Sequence, residues 1–167
     1  MIPTELVAEV KWVDAICLTG MQTEISIAEN HTIALWKKFM PRKREITNQL
    51  SEALYSVQVY PPAFNFVRPD VNMPFAKWVA VETSCNAKAP EQMEVLSVPA
   101  GHYAVFLHKG TLEGYLRTID AIFNHWLPAS SFEFDFRPQF ERMDHRYIHN
   151  HPDSIEEVWM PVRQKMA

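Results

Sequence analysis

The chain is poor in glycine, in cysteine, in long apolar runs and in surplus positive charge, and each shortage removes a class of function. Four glycines in 167 residues leave little material for loops that cradle phosphates. No P-loop, no Gly-x-Ser-x-Gly elbow and no Cys/His nucleophile pair is present. The two cysteines, Cys17 and Cys85, lie in strand-like runs with no Cys or His nearby at metal spacing. A disulfide framework is therefore not expected, and a reducing cytoplasm is the expected setting. Met1-Ile2-Pro3-Thr4-Glu5 has no basic region followed by an apolar stretch. No apolar run approaches the roughly 20 residues that span a bilayer, so neither a signal peptide nor a membrane partner is expected. Sixteen Lys and Arg against twenty Asp and Glu give a formal net charge of −4. A duplex-binding surface usually carries the opposite sign, so direct contact with nucleic acid is not expected.

What remains is an ordinary globular composition, 47% hydrophobic and 22% charged. Such a chain can bury a core without metal or disulfides. Its length suits one domain over 1–167, or two small halves sharing one core. Five Trp, five Tyr and ten Phe raise the aromatic share to 12%. That excess serves a dense core, a pocket walled by flat π surfaces, or both.

Two stretches carry helical periodicity. In 27–40, Leu35, Trp36 and Phe39 form the apolar face and Pro41 is the expected stop. After Gly110, Thr111 is a fitting N-cap for a helix bearing Leu112, Tyr115, Leu116, Ile119, Ile122, Phe123 and Trp126, with Pro128 at its end. Strand patterns occupy 7–18, 54–60, 77–83, 93–107 (interrupted near Pro99-Ala100-Gly101) and 155–162. In 131–137, Phe132, Phe134 and Phe136 alternate with Glu133, Asp135 and Arg137. The order strand, helix, strand, strand thus occurs twice, in halves of about 1–85 and 90–167. The expected fold is α+β: duplicated strand–helix–strand–strand units, with two main helices on one face of an antiparallel sheet. The other face then needs an occupant, because a bare apolar sheet face is not left to water.

The last strand suggests one. Val158, Met160 and Val162 share a side and should meet the helices, while Glu157 and Trp159 share the other. A carboxylate beside an indole suits an organic cation. In the matching strand of the first half, Trp78 and Glu82 also share a face. Alternation alone leaves open whether Glu82 and Glu157 are solvated edge residues or the acidic part of a cleft.

Several segments bear on that choice. Val98-Pro99-Ala100-Gly101-His102-Tyr103, running on to Lys109-Gly110, resembles the Pro-Ala-Gly corner, Tyr-bearing strand and Lys-Gly turn of GyrI-like ligand-binding domains. Trp126-Leu127-Pro128 resembles their helix exit, and Phe140-Glu141-Arg142-Met143-Asp144 their Phe-Glu-Arg-Tyr-Asp segment, with Met143 replacing the aromatic. Glu157-Val158-Trp159-Met160-Pro161 resembles their closing strand. The first half matches more loosely, through Leu35-Trp36 and Phe39-Met40-Pro41. The resemblance implies the effector-binding domain of AraC-type and MerR-type bacterial regulators, with a ligand cleft between the halves. It places the acidic pocket base at Glu157. The expected ligand site is Glu157, Trp159, Trp78, Glu82 and Trp36, binding amphipathic aromatic cations without a cofactor.

The expected role is a sensor or sequestering module lacking its own DNA-binding domain, working alone or with a separate DNA-binding regulator. The resemblance also admits a hydrolase of electrophilic drugs with Glu157 as general base, or a gyrase-modulating interaction protein. His149 and His151 lack a third ligand at metal spacing and are expected in a turn before Pro152, so no metal is expected. Lys37, Lys38, Arg42, Lys43 and Arg44 fit a solvated helix end.

Overall fold

The computed structural model describes residues 6–166. β1 (Glu9–Val13) and β2 (Ile16–Ile25) are separated at Asp14-Ala15, where the sequence pattern runs on as one strand. α1 (Thr32–Phe39), a 3-10 segment (Met40–Glu45), β3 (Leu54–Val59) and β4 (Phe75–Thr83) follow. The second half contains β5 (Glu94–Val98), β6 (Gly101–Lys109), α2 (Leu112–Ala121), β7 (Phe132–Phe134), β8 (Gln139–Met143) and β9 (Ile155–Gln164).

Among the described residues the strands make one antiparallel sheet in the order β1-β6-β9-β8-β3-β4-β2-β5, with β7 added on β9. The halves meet where β3 pairs with β8. Each half also lends a leading strand to the other: β1 pairs with β6, and β5 with β2. The register settles the faces, because paired residues project to the same side. Val79 lies opposite Ser56, Ser56 opposite Glu141, and Glu141 opposite Val158. α1 packs Leu35 and Phe39 on Met21, Val79 and Val81. The chain of α2 packs Ile122 and Phe123 on Ala104, Phe106, Val158, Met160 and Val162. Both helices therefore lie on one face. Val158, Met160 and Val162 are at most 1% exposed, as the alternation required.

Local chemistry shifts several boundaries. α1 starts at Thr32 rather than near 27, because Ser26 Oγ accepts from Glu29 N and Asn30 Oδ1 from Thr32 N, each at 3.0 Å. Such side-chain bonds hold the backbone in turns instead of helix. Pro41 does not stop the chain: it falls in the first turn of the 3-10 segment, where its missing N–H costs nothing. Thr111 caps α2 as expected, its hydroxyl accepting from Gly114 N. The helix then widens into a π turn (Ile122–Trp126) and closes with α3 (Leu127–Ala129), so Pro128 lies inside the final turn. The alternation over 131–137 yields only the short β7, and Phe136 stays 39% exposed. Arg137 explains this: its guanidinium bonds Asp135 at 2.5 Å and the His102 carbonyl at 2.6 Å, bending the chain off the ladder.

The cysteine expectation is corrected. Cys17 and Cys85 are joined by a disulfide, although 68 residues separate them. Cys17 is paired with Thr83 across the β2–β4 ladder, and Cys85 lies two positions beyond Thr83. A non-local register, invisible in cysteine spacing, brings the sulfurs together.

Candidate ligand-binding site

The sheet face away from the helices carries an aromatic row built by register. Trp78 is opposite Val57, Val57 opposite Phe140, and Phe140 opposite Trp159, across four strands. The neighbouring row reads Ala80, Tyr55, Arg142, Glu157. Phe140 and Trp159 stack with centroids 5.4 Å apart at 16°. Tyr55 and Tyr103 close on Phe140 at 5.5 and 5.4 Å. Val57, Tyr103, Phe140 and Trp78 are buried and make a packed floor. Glu157, with 20% of its side chain exposed, and half-buried Trp159 form its accessible edge. The indole Nε1 donates to Glu157 Oε1 at 3.4 Å.

Four of the five expected residues thus share this face: Glu157, Trp159, Trp78 and Glu82. Glu82 pairs with Leu18 and lies beyond the two rows. Burial raises the pKa of the Tyr55 hydroxyl; the bond from Arg142 opposes that rise, and the nearby charges of Glu82 and Glu157 add to it. Trp36 is elsewhere. It projects from α1 against Phe39, 6.3 Å away, in the cluster holding Met21 and Val79. The sheet stands between it and Trp159, so a residue of α1 cannot join that row.

Sequence reasoning missed the cations already on this surface. Lys11 Nζ lies 4.7 Å above the Trp159 ring, the Arg137 guanidinium 4.7 Å above Tyr103, and that of Arg142 6.0 Å from Tyr55. Arg142 Nε also donates to the Tyr55 hydroxyl at 3.2 Å. Glu157 is paired with Arg142 at 3.5 Å and Arg146 at 3.7 Å. Asp144 shares both arginines and is bound by Arg146 at 2.8 Å. The Arg146 hydrogen bond lowers the Asp144 pKa to about 2. Arg142 shares the face of Phe140 only because 139–143 forms β8, a strand that no periodicity announced. Lys11 was not findable either, because β1 reaches Trp159 only through its exchange onto β6.

Residues 9–162 match the Cass2 family, described as integron-associated effector binding protein. The chain belongs to this family. The Cass2-type domain is also 29% identical, over 150 residues, to the transcriptional regulator BrlR of Pseudomonas aeruginosa, covering 89% of this chain and 52% of that protein. It therefore spans about half the length of that relative. In fold it is similar to SAV2435, solved bound to tetraphenylphosphonium (TM-score 0.71, 14% identity, 95% and 94% of the two chains covered). It is likewise similar to EcmrR in a complex with DNA (TM-score 0.69, 11% identity, 95% and 58% covered). The GyrI-like effector-binding fold expected from the motifs is thus the observed one. Among the described residues no helix is long and apolar enough to cross a membrane.

On its helix-bearing face the Cass2-type domain buries a polar cluster. Lys77 donates to Gln58, Gln58 to Gln139, Gln139 to Glu141 Oε2 at 2.6 Å, and the Tyr115 hydroxyl of α2 to Glu141 Oε1 at 2.7 Å. Glu156 belongs to this group, its pKa pushed up to about 7 by burial and the Glu141 charge against the opposing pull of Lys77. A native pKa above the unfolded value means the folded state binds more protons between about 4.5 and 7. The contribution of Glu156 to stability should therefore be greatest in acid and fall as pH rises through that window, by up to about 3 kcal/mol, while His108 opposite it, its pKa lowered by burial, contributes with the opposite sign. Between pH 4.5 and 8 the urea midpoint of the wild type should fall relative to that of a Glu156→Gln variant. The variant should be the more stable of the two at pH 8; parallel profiles would refute the assignment. A separate depression of about 510 Å3 lies beside α1, lined by Met21, His31, Leu35, Lys37, Lys38 and Gln92, away from Glu157.

Proposed function

We propose that this effector-binding domain takes up amphipathic aromatic cations at the edge formed by Glu157 and Trp159, with Trp78, Tyr55 and Glu82 behind them. The observation that carries this is the behaviour of the protein's own cations. Lys11, Arg137 and Arg142 each lie over a different ring of one sheet face. A surface that gathers internal cations over its rings has the quadrupole and the carboxylate that an external cation needs. SAV2435 was solved with tetraphenylphosphonium, a bulky aromatic cation, which supports the same ligand class here. The module senses or sequesters its ligand and performs no chemistry on it. Kinship with BrlR supports a role in transcription regulation, with a DNA-binding regulator as partner.

Calorimetric titration with tetraphenylphosphonium tests the proposal. Saturable one-site binding is expected, weakened about 30-fold by Trp159→Leu, as loss of a largely desolvated cation–π contact requires. Absence of saturation up to millimolar ligand would refute it, and consumption of a ligand would reassign the site to catalysis.

A further inference from the structure

The three cations on the aromatic face are not held alike. Arg137 is fixed by Asp135 and by the carbonyl of His102. Arg142 is fixed by the Tyr55 hydroxyl and by Glu157. Lys11 has neither a carboxylate within 4.0 Å nor a side-chain hydrogen bond among the described residues, and its ammonium rests on the Trp159 ring alone, 4.7 Å from the centroid. Its backbone is anchored instead: β1 pairs Lys11 with Tyr103 on β6, and Val105 of β6 faces Trp159. A four-carbon stem on a fixed strand lets the ammonium swing into water without any movement of the sheet.

We propose that Lys11 is a built-in, displaceable occupant of the cation subsite on Trp159, which an incoming ligand cation must evict and which thereby sets the threshold affinity for cations. The assignment rests on the proposed cation-binding role of the Glu157–Trp159 edge. The ammonium and a ligand cation compete for one indole face, and while both are near they repel. Neutral aromatic ligands must also move the ammonium off the ring, but they meet no charge repulsion from it. A strand that the other half of the sheet contributes therefore tunes the specificity of the site.

The test compares wild type, Lys11→Met and Lys11→Arg, each titrated calorimetrically with tetraphenylphosphonium and with neutral triphenylphosphine oxide. Lys11→Met keeps the apolar stem over the ring and deletes the charge. It should bind tetraphenylphosphonium about 2- to 30-fold more tightly, the span of an exposed to a desolvated cation–π contact. Triphenylphosphine oxide should gain clearly less than the phosphonium. Lys11→Arg retains a cation over the ring and should stay near the wild-type affinity. Unchanged or weaker phosphonium binding by Lys11→Met, or equal gains for both ligands, would overturn the role of Lys11 while leaving the cation site standing. If none of the three proteins binds phosphonium, the cation site itself fails and the role of Lys11 with it.

Discussion

Glu157→Gln should weaken tetraphenylphosphonium by about 30-fold or more while changing triphenylphosphine oxide only a few-fold, the loss that follows removal of one partner of a desolvated charge pair. The arginines sharpen this expectation. Glu157 and Asp144 together face Arg142 and Arg146. With Glu157 neutral, one carboxylate remains against two guanidiniums, and Lys11 adds a third cation nearby. The edge becomes more positive by one charge, so an aromatic cation loses its counter-ion and meets stronger repulsion as well. An aromatic carboxylate should gain for the same reason. Stability should fall less than affinity, because Arg142 and Arg146 both keep Asp144 and the site is partly solvated. Calorimetric titration of the three ligand types against both proteins reads the charge dependence directly. Equal losses for cation and neutral ligand would mean that Glu157 only shapes the edge.

The parts of this site legible in the sequence were those that period-two alternation can carry. Val158 and Met160 against Glu157 and Trp159 separated as predicted, and Trp78 and Glu82 share a face as predicted. Alternation says which residues share a face of one strand; it does not say which strands lie together. The row joining Trp78 to Trp159 depends on β3 and β8 meeting at the centre, and β8 is a five-residue strand whose sequence shows no periodic signal. The placement of Lys11 depends on β1 crossing to β6. The Cys17–Cys85 bond depends on the β2–β4 register. Trp36 failed for a different reason. A helix that buries Leu35 and Phe39 on one sheet face cannot present its next large aromatic to the other, and that constraint was available once both helices were assigned to one side.

Glu141→Leu should cost about 3–5 kcal/mol, the usual consequence of removing one member of a buried charge group and leaving the other uncompensated. For a domain of this size that corresponds to a fall in Tm on the order of 10 °C. Glu141 accepts from Tyr115, Gln139 and Gln58, and the buried ammonium of Lys77 is linked to it through Gln58. Lys77 and Glu141 are only 6% and 5% exposed. The Lys77 pKa is lowered by burial and held up by the charges of Glu141 and Glu156, so the lysine depends on these acids for its charge. Lys77→Met in the Glu141→Leu background removes the stranded cation and should recover part of the loss, making the two changes sub-additive by at least about 1 kcal/mol. Strict additivity would show that Glu141 acts only through its hydrogen bonds. The conservative Glu141→Gln separates charge from shape. Without the Glu141 charge the pKa of Glu156 should drop toward its ordinary value, and the decline of its contribution to stability between about pH 4.5 and 7 should narrow. Because Glu141 lies in β8 beside the β3 junction and receives its bond from α2 through Tyr115, this cluster fixes how the second helix seats on the strands whose opposite face carries Phe140, Arg142 and Glu157. Loosening it should therefore also weaken tetraphenylphosphonium binding, with no residue of the cluster on the ligand's side of the sheet.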